Sequence, residues 1–316
     1  VTDAAHARLL VEVSRDYYLD GRSKVEIAQQ HAISRFQVAR LLAEARESGV
    51  VRIEIAPPAH LDDDRAARLA ERLGAEQVVV VPSGSGLETA RAAVAQELAT
   101  VLGERARAGT TIGISWSRTI EAAVHHLGTL PPCDVVQLVG ALPVSGSGDS
   151  LSLIQTFRAM AGVRTWPVWS PLLVGDPATA AGMRRQPEIA AALDRADALD
   201  LAVVAVGAWT DTGSTVYPQV TGDERRAAAA GGAVAECSGR LFDAEGTRVV
   251  TPLDARVVGV SLDQLVRTPE VVAVGYGAQA GAGLRGAVLG GVATVLVCDE
   301  AAAVEMERLL ETDATG

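Results

Sequence analysis

Hydrophobic positions in the first fifty residues recur at helical spacing. Leu9, Leu10, Val13 and Tyr17 mark one face of a helix over residues 3–20. Ile27 and Ala28 give a second, shorter helix its apolar side, and Val38, Leu41, Leu42 and Ala45 fall at i, i+3, i+4 and i+7 of a third. Ile33 lies in the turn between the last two, where it can plug the corner. Asp20-Gly21 and Gly49 end the flanking helices. VVRIEIAP then alternates and reads as a short strand in the place of a wing, stopped at Pro57-Pro58. The polar run AHLDDDR comes next, and the predicted domain boundary lies there.

Past residue 65 the pattern changes to strands alternating with helices. Predicted helices cover 61–73, 87–102, a stretch from near Arg118, 150–161, 187–196, a short piece at 223–230, a stretch up to about 289, and the C-terminus. Predicted strands cover 77–81, 110–115, 134–140, 164–169, 199–207, 256–261, 270–277 and 293–300. AVAECSG and a DAEG turn at 243–246 read as a small antiparallel insertion. Continuous apolar strands between helices predict a buried, mainly parallel sheet with helices on both faces. The expectation is an all-α helix-turn-helix domain over 1–57 and an α/β domain over 58–316.

Both short N-terminal helices carry a written start. Ser23 with Glu26 is an S-x-x-E capping box, and Ser34 with Gln37 an S-x-x-Q one. Beyond its cap the second of these helices shows Arg35, Phe36 and Gln37, with Arg40 one turn later. Arginine and glutamine hydrogen-bond base edges in the major groove, and a recognition helix reads DNA with its first residues. Arg35 and Gln37 are therefore predicted to read bases of double-stranded operator DNA. A surface αα-hairpin with a solvated face is the plainer alternative.

Composition alters this picture in two ways. The chain of 316 residues carries a net charge of −11, which is unfavourable for a DNA binder until it is divided. Residues 1–57 hold eight basic and eight acidic residues, so the whole excess lies beyond them. The acidic remainder repels DNA, and only the N-terminal domain can approach it. Lys24 is the only lysine, so no Schiff-base chemistry is available past it. Hydrophobic residues make up 48%, yet no run reaches membrane-spanning length, and the charged start lacks signal-peptide form. The expected location is cytoplasmic. Cys133, Cys237 and Cys298 have no metal-ligand or disulfide spacing, and no cofactor is implied.

Ligands of parallel sheets bind past the carboxyl ends of the strands. The richest such end is GISWSRTI at 113–120. Free N–H groups at the helix start, the hydroxyls of Ser115, Ser117 and Thr119, and Arg118 form a cradle for an anion or a polyhydroxyl compound, with Trp116 among them. A capped helix with a surface arginine is the alternative. GISWS also approaches G-x-S-x-G, but the last glycine is missing and no histidine follows beyond His126. A second cluster, at 272–291, contains Gly275, Tyr276, Gly277 and Gln279. Its glycine spacing is wrong for a dinucleotide fingerprint.

The run EIAQQHAISRFQVARLLAEARESGVVRIEI resembles the DNA-binding domain of the SorC family of sugar-responsive bacterial regulators. GISWSRT, VVQLVGAL, the W-S-P-L run at 169–172, VVAVGAW and GAVAECSGRLFDAEG resemble that family's segments in its order. The resemblance implies an effector domain related to sugar-phosphate isomerases and deaminases, used for sensing, in a homo-oligomer, a tetramer. By position it adds Gln137, Glu236 and Asp243 to Ser115, Ser117, Arg118, Thr119, Gly275, Gly277 and Gln279 as pocket candidates. The family commonly places a phosphate-holding lysine where this chain has Ala280. The expected effector is a small sugar, polyol or sugar phosphate, and the missing lysine favours an unphosphorylated one. An isomerase or deaminase with a fused DNA-binding domain is the rival, needing a general base near Glu236 or Asp243.

Overall fold

The structure, a computed structural model, describes residues 2–18, 21–48, 50–51, 62–142 and 150–315. It falls into two compact units, Val1–Pro58 and Ala59–Gly316. Asp20, Gly49, most of the expected wing strand and the boundary run around Pro57-Pro58 lie outside the described residues.

In the first unit three helices, α1 (Thr2–Tyr18), α2 (Lys24–Gln30) and α3 (Arg35–Glu47), enclose a small core. Val13, Ile27, Val38 and Ala45 are wholly shielded from water, and Leu10, Leu41 and Leu42 complete the set, with Ile33 packed against it from the turn. Both capping boxes form. Ser23 N–H donates to the Glu26 carboxylate at 2.8 Å, and Glu26 N–H to Ser23 Oγ at 3.3 Å. Ser34 N–H donates to Gln37 Oε1 at 2.8 Å, and Gln37 N–H to Ser34 Oγ at 3.1 Å. Asp16, near the end of α1, ties that helix to the end of α2. Its carboxylate lies 2.7 Å from His31 Nε2, accepts from Gln30 Nε2 at 3.3 Å, and pairs with Arg22 at 3.5 Å.

The second unit is built on one ten-stranded sheet. Its strands are β1 (Gln77–Val81), β2 (Thr111–Ile114), β3 (Cys133–Gln137), β4 (Val163–Trp166) and β5 (Leu201–Ala208). Then come β6 (Ala235–Cys237), β7 (Arg240–Phe242), β8 (Arg248–Val249), β9 (Glu270–Gly275) and β10 (Val295–Asp299). Seven of them pair in parallel in the order β1-β10-β9-β5-β2-β3-β4. The antiparallel ribbon β6-β7-β8 extends from the end of β5, with Glu236 opposite Gly207.

The helices of this unit start and stop where their sequences permit. They are α4 (Asp63–Leu73), α5 (Leu87–Arg105), α6 (Arg118–His126), α7 (Ser150–Arg158) and α8 (Pro177–Arg184). The remainder are α9 (Pro187–Arg195), α10 (Gly222–Ala230), α11 (Leu262–Arg267), α12 (Gly281–Leu289) and α13 (Glu300–Thr315). Asp62 caps α4 and left-handed Gly74 closes it. Proline opens α8 and α9 in their first turns. Strand side chains alternate between two cores. Val78 and Val80 join α4, α12 and α13 on one face, and Val79 and Val81 join α5, α6 and α7 on the other. This two-sided burial is why the strands read as unbroken apolar runs.

Helices α8 and α11 were not foreseen, and the strand predicted at 256–261 is absent. That segment instead passes between two others. Gly140 N–H donates to Val258 O and Val260 N–H to Leu138 O on one side, and Val258 N–H donates to Leu172 O on the other. It makes only isolated bridges, at Val257 and Gly259. Its apolar residues are buried by crossing over strand ends rather than by joining the sheet. Among the described residues no helix is long and apolar enough to cross a membrane.

The Asp16 cluster predicts a pH effect. The hydrogen bond from His31 and the charge of Arg22 hold the Asp16 carboxyl below its ordinary value of 3.8. A depressed folded pKa stabilises the fold above the unfolded value, and that contribution is lost as pH falls through the folded one. Asp16→Asn should cost about 1–3 kcal/mol at neutral pH. Its thermal unfolding should converge with wild type as the solution is acidified below the carboxylate range. A gap that persists unchanged in acid would remove Asp16 as its source.

Candidate functional site

At β2 and β5 the chain reverses its direction across the sheet. Beyond β2 the order continues to β3 and β4, and beyond β5 to β9 and β10. The carboxyl ends of two strands that part in this way leave a crevice between their loops. A cavity of about 330 Å³ opens there, lined by residues following β2, β3, β5 and β9 and by the β6-β7 turn. Its size suits one small molecule.

The first wall is the β2-α6 turn. Ser115, Trp116, Ser117, Arg118 and Thr119 all line the cavity. Ser117 caps α6, its Oγ accepting from Ile120 N–H at 3.1 Å. The first-turn N–H groups of Arg118 and Thr119 then have no intrahelical acceptor. Ser115 is buried, and its Oγ accepts from Ser238 Oγ at 3.2 Å. The Arg118 side chain is exposed at the mouth.

The second wall follows Gly207, a strand end where the sequence places ligands, but none of its later residues was singled out. After β5 the segment from Trp209 to Gln219 runs as a strap along the cavity, contributing Asp211, Thr212, Gly213, Ser214, Thr215, Val216, Pro218 and Gln219. It approaches β5 backbone to backbone, since a Cβ on Gly207 would come within 2.7 Å of Gly213 O. Ser214 organises it. Its Oγ accepts from Val216 N–H at 3.0 Å and Tyr217 N–H at 3.3 Å, and donates to Glu236 Oε1 at 3.1 Å. The only local signal was a hydroxyl-rich stretch, TDTGST, directly after a strand.

Glu236 lies on β6 and lines the cavity. Its other oxygen accepts from Gly239 N–H at 3.0 Å, in the β6-β7 turn. Ser238 and Gly239 both have positive φ there, 56° and 76°, as a tight two-residue hairpin requires. Burial pushes the Glu236 carboxyl up, against the hydrogen bonds from Gly239 and Ser214. The neighbouring Cys237 thiol is pushed up to about 12 by the same burial, which keeps it protonated.

Gly275, Tyr276 and Gln279 complete the lining, with Ala280 beside them. Three predicted residues fall elsewhere. Gln137 is buried but committed, its Nε2 donating to Val139 O at 2.6 Å and its Oε1 accepting from Val168 N–H at 3.2 Å. Asp243 caps a hairpin turn, accepting from Glu245 N–H and Thr247 N–H at 3.1 and 2.8 Å. Gly277 shapes the turn behind the wall. Its φ is +75°, and its N–H donates to the buried Asp299 carboxylate at 2.8 Å. Arg285 does not reach the cavity as a second cation. It bonds Ala244 O at 2.8 Å and pairs with Asp313. Among the described residues, the charged members of the lining are Arg118, Asp211 and Glu236.

In the first unit Arg35, Phe36, Gln37 and Arg40 are all exposed. Ser23 and Ser34 act as helix caps. Gln37 closes the expected capping box, its Oε1 accepting from Ser34 N–H at 2.8 Å.

Residues 58–308 match the family described as "Putative sugar-binding domain". The chain belongs to the SorC family of sugar-binding transcriptional regulators. It is 28% identical over 307 residues to the deoxyribonucleoside regulator of Bacillus subtilis (strain 168), covering 94% of this chain and 96% of that one. It is 27% identical over 303 residues to the transcriptional regulator YjhU of Escherichia coli (strain K12), covering 91% and 90%. The crystal structure of the full-length sorbitol operon regulator SorC from Klebsiella pneumoniae superimposes with a TM-score of 0.70 at 22% identity. It covers 96% of this chain and 98% of its own, so the fold is shared over nearly the whole length. As a SorC-family member the chain is a sugar-responsive transcriptional regulator.

The Ser214 network predicts a local effect on dynamics. Ser214→Ala removes the acceptor of Val216 and Tyr217 N–H, each worth about 1 kcal/mol. Amide exchange at these two positions should quicken about fivefold. Exchange at Gly239, bonded to the other oxygen of Glu236, should stay as in wild type. Unchanged exchange at Val216 and Tyr217 would show that Ser214 does not hold the strap.

Proposed function

We propose that the C-terminal unit binds an unphosphorylated sugar or polyol and so controls operator binding by a helix-turn-helix in residues 1–57. The observation that carries the ligand class is the charge of the cavity. Among the described residues its lining holds one cationic side chain, the exposed Arg118, and two acidic ones, Asp211 and Glu236. A phosphate dianion held away from water needs a helix start and strong cationic donors. Here Ala280 and the committed Arg285 supply none. Hydroxyl groups have good partners in Ser115, Ser117, Thr212 and Thr215 and in the free N–H groups of α6.

Residues 58–316 would also carry oligomerisation, since reading two half-sites requires at least a dimer. A relation to sugar-phosphate isomerases and deaminases belongs to the same proposal, with sensing in place of turnover. Both oxygens of Glu236 already accept hydrogen bonds from the protein, which suits a structural carboxylate better than a general base. Effector binding would act by favouring one of two arrangements with unequal operator affinity. The place of action is the cytoplasm.

Two measurements bear on this. Arg118→Ala should keep operator affinity and lose the response to effector in a fluorescence-anisotropy titration. An unaltered half-maximal effector concentration would remove Arg118 from the site. Thermal shifts with matched compounds, each sugar or polyol with and without its phosphate, test the ligand class. A ligand at one hundred times its dissociation constant should add about 2.7 kcal/mol of stability. Stabilisation by the phosphorylated members alone would overturn the unphosphorylated assignment.

A further inference from the structure

Phe36 is 83% exposed at the second position of α3, while Val38, Leu41, Leu42 and Ala45 of that helix are packed inward. Ala39 and Arg40 are exposed three and four positions on, which places them on the same side of the helix. Arg35 is exposed beside it. Among the described residues, no ion pair or hydrogen bond engages the guanidinium of Arg35 or Arg40. The face is thus apolar at its centre and cationic at its flanks.

Such a face fits a polyanion that also offers an apolar group. In the DNA major groove the one apolar group is the C5 methyl of thymine, and phenylalanine and alanine are side chains that meet it. The capping geometry sharpens the choice. Bidentate reading of adenine by glutamine needs both amide atoms turned to the base, and Gln37 Oε1 is turned to Ser34 N–H at 2.8 Å. The first turn of α3 therefore has less to offer through Gln37 than its sequence suggests, and more through the ring next to it.

We propose that Phe36, supported by Ala39, reads a thymine methyl in each operator half-site, with Arg35 and Arg40 on guanine edges or phosphates. This rests on the assignment of residues 1–57 to DNA binding. The ring adds specificity at one base step. It adds nothing to the salt-dependent attraction for random DNA, which arises from phosphate contacts.

The experiment uses the full chain and duplexes selected by it from a random 30-base-pair pool. Each thymine of the selected site is replaced in turn by uracil, which removes the methyl and leaves the hydrogen-bonding edge unchanged. Losing one apolar methyl contact should weaken wild type about fourfold per half-site. Phe36→Ala should bind the thymine site less tightly, lose the sensitivity to uracil, and keep wild-type affinity for unselected DNA. Because the ring is exposed, its helix content and melting temperature should match wild type. Wild type indifferent to uracil at every position overturns the proposal, as does an equal sensitivity in Phe36→Ala. A shift in sedimentation of Phe36→Ala without DNA would assign the ring to a contact between copies instead. If no sequence is enriched at all, the DNA-binding assignment falls and the proposal falls with it.

Discussion

Seven parallel strands covered on both faces leave little backbone or side chain free except at their ends. Side chains along β1, β5, β9 and β10 alternate into two dry cores, and every second residue is lost to each. Recognition has to be built from the loops beyond the last residue of each strand. The order of the sheet then decides which ends can cooperate. The loops after β2 and β5 part in opposite directions, and the crevice between them is where the cavity lies.

Within that crevice the polar groups are joined into one network. Glu236 holds the strap through Ser214 and the hairpin turn through Gly239. Ser238, in the same turn, reaches the end of β2 through Ser115. Three segments far apart in sequence thus share hydrogen bonds around one buried carboxylate. A buried carboxylate left without partners would be costly, so the network also fixes the positions of the segments it joins. A ligand that binds one arrangement of these segments more tightly than another shifts the population between them.

Charge separates the two units by task. Residues 1–57 are neutral in sum, and Arg35 and Arg40 are exposed on α3 with no ion pair or hydrogen bond to their guanidinium groups among the described residues. The acidic excess belongs wholly to the rest of the chain. Inside the cavity the same imbalance recurs on a small scale, with Arg118 against Asp211 and Glu236.

Short-range physics settled whatever could be read directly in the chain. Capping boxes at Ser23 and Ser34 close over three residues, and apolar periodicity needs one face of one element, so helices and strands appear close to where their residues place them. The Ser115–Thr119 turn was legible for the same reason, since a hydroxylated strand-to-helix junction is local. The tertiary structure decided everything that depends on partners distant in sequence. Gln137 resembled a site residue until its amide met Val139 and Val168. Residues 256–261 have the composition of a strand, but four long-range backbone hydrogen bonds draw them across strand ends instead. The strap after Trp209 carries no periodicity, and only its close approach to Gly207 and its bond to Glu236 make it a wall of the site.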